Sequence, residues 1–367
     1  MTSPTTTVSQ SALDDSRLRV VLLVDVVSGA EDRFLEAYAQ MSRRVSAVPG
    51  HLSDQLCQSI ENPSQWLITS EWESALAFLA WVDSPVHLEM VEPMHGCVRD
   101  TRSLRFSVMR ETPGGVPVTE HLTAPPRRGD GVVRHAITFT VRPGSEPAVA
   151  DILAGYTSPQ PVVDDTTRLC RTTLFMHRNR VVRAVEVRGE LVRALRHVAA
   201  QPEVRAVEKA IDPYLEQERD LNDPISARTF FANAALPAVH HVGVPADSAE
   251  GLRRHALLYP AKPGCGPAVA RFLARHDERG AARPDEPVAA ATVFLRDDLV
   301  VRLVDLRGPA AEHPAEVIGA AGPRRTAVLA RLLDLPPESA PHGAGAAERL
   351  LAAHDMRLIT DRRAATG

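Results

Sequence analysis

The chain has 367 residues, room for two or three domains. Hydrophobic residues make up 44% and charged residues 24%, an ordinary balance for a soluble globular protein. A net charge of −4 gives no reason to expect nucleic acid or an anionic membrane as partner.

Residues 1–16 have no basic region and no apolar stretch, so they read as a disordered leader and not as a secretory signal. The longest apolar run, Val20 to Leu23 and past Asp25 to Val27, is far too short to span a bilayer. Cys57, Cys97, Cys170 and Cys265 are far apart and form no CxxC pair, so no disulfide is expected and a cytoplasmic setting is.

A first unit covers 17–111. Leu18 to Val27 is apolar on both alternating faces, the pattern of a strand covered on both sides. Phe34, Tyr38, Met41 and Val45 follow at helical spacing, and Pro49-Gly50 ends that helix. His51 to Ile60 and Gln65 to Trp72 read as strands joined by a turn at Glu61-Asn62-Pro63-Ser64. Ser74 to Val98 reads as helical with a break near Ser84-Pro85, and Arg102 to Val108 as the closing strand. This is the β-α-β-β-α-β order of a ferredoxin-like unit.

A Pro- and Gly-rich linker is predicted over 112–131 and a second unit over 132–243. Here Val132 to Val141 is a strand, and Val149, Ile152, Leu153 and Tyr156 make one helix face. Leu169 to Met176 and Val181 to Val187 form a hairpin around Arg178-Asn179, and Leu191 to Leu215 is helical with a break at Pro202. Glu218 to Leu236 reads as irregular. After a short linker at 244–251, a degenerate third unit covers 252–361, with its closing strand near Met356 to Thr360.

The second and third units are related by repetition. Arg134-His135, Pro143-Gly144 and Pro147 to Ala150 recur as Arg254-His255, Pro263-Gly264 and Pro267 to Ala270. Arg188-Gly189 recurs as Arg307-Gly308. The fold expected is therefore α+β, three ferredoxin-like units forming dimeric or pseudo-dimeric α+β barrels. A ferredoxin-like sheet carries helices on one face, and its other apolar face needs a cover. The middle and C-terminal units can cover each other. The first then needs a copy from a second chain, which predicts a homodimer through the N-terminal unit.

The first unit resembles the antibiotic biosynthesis monooxygenase superfamily in Val48-Pro49-Gly50-His51, in Glu61-Asn62-Pro63 with Ser70 to Ser74, and in Asp83 to His87. The later units resemble SchA/CurD-like proteins of aromatic polyketide clusters in Leu174 to Glu186, Ala200 to Leu215 and Glu218 to Phe231. The resemblance implies tailoring of a pentangular or spore-pigment type polyketide by a cofactor-independent oxygenase that turns an anthrone or phenol ring into a quinone. O₂ is then the co-substrate, with no metal, flavin or haem. It further implies that Asn62 and Trp66 act on the substrate.

The chemistry needs a base, donors for the keto oxygen, and apolar walls. His51, His87 and His95 are the candidate bases, because imidazole titrates near neutrality. Trp66 and Trp72 lie on one face of their strand, as walls of a site or as core aromatics. Asn62 is a hydrogen-bond donor or an ordinary turn residue. His135, Arg171 and Arg183 are candidate contacts to phenolate or carboxylate oxygens, with ion-paired arginines as the alternative. No spacing matches a metal site. Two other functions fit the same fold: a cyclase or aromatase using His and Arg as acid and base, and a non-catalytic polyketide-binding or partner-docking protein.

Overall fold

The computed structural model describes residues 7–14, 16–111, 126–248, 251–283, 285–335 and 345–364. It divides into two compact units, Ala12–Pro126 on one hand and Met1–Ser11 with Arg127–Gly367 on the other. Strand β1 (Val8–Ser11) corrects the reading of the whole leader as disordered: its backbone groups find ladder partners at Gly243 to His240 of the larger unit. Residues 1–6 of that leader and 112–125 of the first linker lie outside the described residues.

The N-terminal unit runs β2 (Leu18–Val26), α1 (Glu31–Val45), β3 (His51–Gln58), β4 (Gln65–Trp72), α2 (Ala75–Val82), α3 (Pro85–His95) and β5 (Val98–Ser107). The sheet order β3-β4-β2-β5, antiparallel throughout, is the expected ferredoxin-like one. Helix α1 has Glu31 and Asp32 in its first turn and Arg43 and Arg44 in its last, each matched to the helix dipole. Ser74 and Ser84 cap α2 and α3 by accepting from the backbone N–H groups of Ala77 and His87, both at 3.2 Å. The break predicted at Ser84-Pro85 is thus a pair of helix ends, while Pro93 leaves α3 continuous to His95.

Alternate residues of the strands bury under these helices. Val24, Val26, Trp66 and Ile68 pack with Phe34 and Ala37, while Leu18, Val20 and Trp72 pack with Phe78 and Met90. On the helix-free face of the same sheet Leu23 and Phe106 are exposed, at 42% and 52%.

The larger unit contains two halves. The first is β6 (Val132–Thr140), α4 (Glu146–Gly155), β7 (Arg168–His177), β8 (Arg180–Arg188), α5 (Leu191–Ala200), α6 (Pro202–Ile211), α7 (Pro224–Ala234) and β9 (Ala235–Gly243). The second is β10 (Arg253–Pro260), α8 (Gly266–Ala281), β11 (Val288–Arg296), β12 (Leu299–Leu306), α9 (Pro314–Val317), α10 (Pro323–Leu332), α11 (Ala346–His354) and β13 (Arg357–Arg363). Helix α7 corrects the irregular reading of 218–236: the Asp223 carboxylate accepts from the N–H groups of Ile225 and Ser226 and starts a helix there.

Strand order is β10-β12-β11-β9-β6-β8-β7-β13. The two ends meet at a bridge between Leu257 and Asp355, and the Met356 N–H donates to the Ala256 carbonyl at 2.9 Å, which closes the path into a barrel. Each closing strand joins both halves. Strand β9 leaves β6 after three paired residues and continues on β11, while β13 pairs with β7. The two repeated units therefore cover each other's apolar face, as expected. One end of the interior is apolar, with Ala136, Phe175, Leu236, Ala256, Phe294 and Met356 in contact. Elsewhere in it lie charges: Asp305 accepts from Arg254 at 2.9 and 2.7 Å and from Arg171 at 3.1 Å, and Glu186 lies 2.6 Å from Arg254.

Candidate functional site

The N-terminal unit gathers rings in a row from β3, β4, α2 and α3, with Trp72 fully buried and His51, Trp81 and His87 partly so. His51 opens β3 and meets Trp72 edge-on, ring centres 5.1 Å apart. Trp72 stacks on Trp81 of α2 at 5.0 Å, and Trp81 meets His87 of α3 at 4.3 Å. Phe78 closes one side, 5.5 Å from Trp72. Gly50 permits the start of this row. Its φ of +83° suits glycine alone, and a Cβ there would come within 2.5 Å of the Ala77 Cβ.

Three nitrogens in the row are buried without a hydrogen-bond partner: Nε2 of His51, Nε1 of Trp81 and Nδ1 of His87. Each such atom costs about 1–3 kcal/mol when left unpaired, so three of them in one place mark the row as the candidate site of this unit. The Trp72 indole differs, because its N–H donates to Ser70 Oγ at 2.9 Å.

The two histidines have different surroundings. Burial lowers the pKa of His51, while the Asp54 carboxylate, with Oδ1 3.7 Å from Nε2, pulls it back up. The other oxygen, Asp54 Oδ2, accepts from Ser42 at 2.9 Å and from the Tyr38 hydroxyl, which fixes the carboxylate between β3 and α1. His87 is pushed down to about 4, by burial first and by His95 second, so it stays neutral. A proton taken into this site is better held at His51.

Of the residues singled out from the sequence, the fold brings together His51, Trp72 and His87. Trp66 is buried on the same strand face in the neighbouring cluster, 5.4 Å from Phe34, with its Nε1 also unpartnered. His95 is exposed at the end of α3. Asn62 is exposed in the β3–β4 turn, where its Oδ1 accepts from the Ser64 N–H and hydroxyl. In the larger unit, Arg171 is engaged by Asp305 and Asp361, and Arg183 by Glu208 at 2.6 Å. Both arginines stand in buried ion pairs of this chain. His135 lies half-buried on β6. Asp54 and Trp81 were not read from the sequence, and Tyr38 was read there only as part of a helix face. Trp81 alone carried a signal, an indole within a helix whose other large side chains are aliphatic or Phe.

The architecture defines a class: a ferredoxin-like unit fused to an intramolecular α+β barrel. Residues 17–93 match the family model of antibiotic biosynthesis monooxygenases, and 132–244 that of the SchA/CurD-like domain. The chain is 60% identical over 367 residues to "Polyketide synthase CurD" of Streptomyces cyaneus, covering 99% of each chain. It is 55% identical over 360 residues to "Protein SchA" of Streptomyces halstedii, covering 96% of this chain and 95% of that one. This chain belongs to the SchA/CurD family of polyketide-associated proteins.

Among solved structures, the chain is similar to SnoaB, a cofactor-independent oxygenase from Streptomyces nogalater. The identity is 18% over 26% of this chain and 96% of that one, at a TM-score of 0.25. A conserved protein from Methanosarcina mazei Go1 matches at 17% identity over 26% of this chain and 95% of that one, at a TM-score of 0.24. Among the described residues no helix is long and apolar enough to cross a membrane.

Proposed function

We propose that the N-terminal unit oxidises a phenol or anthrone ring of an aromatic polyketide to a quinone with O₂, without metal, flavin or haem. The observation that carries this reading is the row His51–Trp72–Trp81–His87 with its three unpartnered nitrogens, in the segment that matches the monooxygenase family.

His51 takes the proton from the acidic ring carbon, and Asp54 behind it offsets the imidazolium charge. His87, neutral, and the Trp81 N–H hold the ring oxygen on which charge develops. The carbanion passes one electron to O₂, the radical pair joins as a peroxide anion at that carbon, and the His51 imidazolium returns its proton to give the hydroperoxide. Loss of the remaining proton on that carbon together with hydroxide, as water, leaves the second carbonyl. Anthrone and O₂ thus give anthraquinone and H₂O. The aromatic row excludes water and stacks on the rings.

The helix-free face, with Leu23 and Phe106 exposed, supports a homodimer through this unit. The test of the catalytic reading is incubation with anthrone in air and under argon, following O₂ uptake and quinone absorbance. O₂-dependent formation of quinone above the uncatalysed rate is expected. Equal rates with and without protein overturn the reading. Turnover of a partly cyclised precursor in both atmospheres moves the assignment to a cyclase.

A further inference from the structure

The larger unit holds a cleft of about 390 Å³ where β6 and β11 diverge beyond their contacts with β9. Phe139, Phe230 and Leu299 form apolar parts of its wall, and Thr138, Arg180 and Arg296 bring polar groups to it. The volume is within the usual range for a small-molecule site, about 300–1,000 Å³.

The two arginines differ. Arg296 is held in place by the end of α7, donating to the carbonyls of Ala232 at 2.7 Å, Ala235 at 3.2 Å and Asn233. Arg180 makes one hydrogen bond, at 3.4 Å to Thr138 Oγ1, and no carboxylate among the described residues lies within ion-pairing distance of it. Thr138 itself donates to the Val181 carbonyl at 3.0 Å. Burial lowers the Arg180 pKa, and Glu216 opposes this only from a distance. Two carboxylates, Asp297 and Asp298, also line the cleft. Asp298 accepts from the N–H groups of Gly264 and Gly266 at 2.8 and 2.9 Å, and the Asp297 side chain is 88% exposed, 3.8 Å from Arg296.

The internal repeat shows that the fold does not demand this cation. Val181 to Glu186 of β8 aligns with Val300 to Asp305 of β12, so Arg180 corresponds to Leu299. By the Arg134 and Arg254 alignment, Thr138 corresponds to Leu258. In the second half Leu258 packs into the apolar interior, and Leu299 packs against it and lines the cleft. In the first half a guanidinium and a hydroxyl face a cleft. A partly desolvated cation without a carboxylate is costly and favours an anionic guest.

We propose that this cleft binds a planar aromatic acid, its carboxylate or acidic phenolate on Arg180 and its rings against Phe139 and Phe230, as a site separate from the ring row of the N-terminal unit. Arg296 adds a second positive charge on the wall, opposed by Asp297 at 3.8 Å, while the Asp298 carboxylate is taken up by the N–H groups of Gly264 and Gly266. The reading does not depend on whether the N-terminal unit is an oxygenase.

The test is fluorescence anisotropy of 9-anthracenecarboxylate titrated with the full chain. Saturable binding is expected. Arg180→Gln should weaken it by at least about tenfold, the loss of one charge-assisted hydrogen bond, while Arg180→Lys retains more of the affinity. The neutral 9-anthracenemethanol should bind wild type and Arg180→Gln equally, and Arg180→Gln should weaken carboxylate binding by the same factor in a His87→Ala background. Three results overturn the proposal: no saturable binding by wild type, unchanged affinity in Arg180→Gln with an intact circular dichroism spectrum, or an Arg180→Gln effect that disappears in the His87→Ala background.

Discussion

Oδ1 of Asp54 lies 3.7 Å from Nε2 of His51 on one side of β3, although the two are three positions apart. In a regular strand such residues face opposite ways. A register shift between His51 and Ser53 places His51 opposite Trp72 and Asp54 opposite Ser70, both on the helix face. The pair makes His51 the base of the proposed reaction.

His51→Ala should therefore lower turnover by about 10²–10⁴, the usual contribution of a positioned base. Asp54→Asn should act through the pH profile. Asp54 raises the His51 pKa, so its removal lowers that pKa. The neutral base then persists to lower pH, and the acid limb of kcat/KM moves down. An unmoved limb, with activity retained, would place the base elsewhere.

Trp81→Phe and Trp72→Phe should separate binding from stability. Trp81→Phe removes an unpartnered buried N–H, so stability should be unchanged or rise by up to about 1 kcal/mol while turnover falls. Trp72→Phe breaks the bond to Ser70 at a fully buried position and should cost about 1–3 kcal/mol. Urea unfolding alongside initial rates reads both effects.

The N-terminal unit should lose stability in mild acid through His87. Its folded pKa, about 4, is below the unfolded value, so the unfolded chain binds more protons between the two. Stability then falls as pH drops from about 6.5 toward about 4, at up to about 1.4 kcal/mol per pH unit. Trp66, Trp72 and Trp81 are the only tryptophans and all lie in this unit, so their emission follows its unfolding selectively. His87→Phe should flatten the dependence.

Asp305→Asn should destabilise the larger unit by about 1–3 kcal/mol, because it removes the charged acceptor that Arg254 and Arg171 share while Glu186 and Asp361 keep one carboxylate on each. The Asp305 pKa is held down at about 2, despite burial, by Arg254 first and Arg171 next. Its contribution is thus full above the unfolded carboxylate range and lost as pH falls through about 2. Differential scanning calorimetry at neutral pH reads the loss.

Leu23→Glu should convert a dimer to a monomer, since it charges the exposed apolar face of the N-terminal sheet. Light scattering at micromolar concentration measures this. A wild-type monomer would exclude the proposed dimer.

Local order along the chain was readable before any coordinates. Alternation in Leu18 to Val27 and helical spacing in Phe34, Tyr38, Met41 and Val45 are short-range signals, and Ser84-Pro85 marks a helix start by its own chemistry. The even separation of Trp66 and Trp72 set them on one buried face. The repeat at Arg134 and Arg254 announced two like halves. Pairing and register belong to the tertiary structure. Alternation says that a strand has partners and not which, so nothing local sends β13 to β7 or β9 onto β11. Arg171 meets Asp361 across 190 residues and Asp305 across 134, so the sequence left open whether it was a substrate contact or an ion-paired arginine. One bulge turned His51 toward Asp54, and helix packing set Trp81 between Trp72 and His87. The physical reason is the same in each case: the elements are specified by neighbours in sequence, whereas charge pairing and ring stacking are specified by neighbours in space.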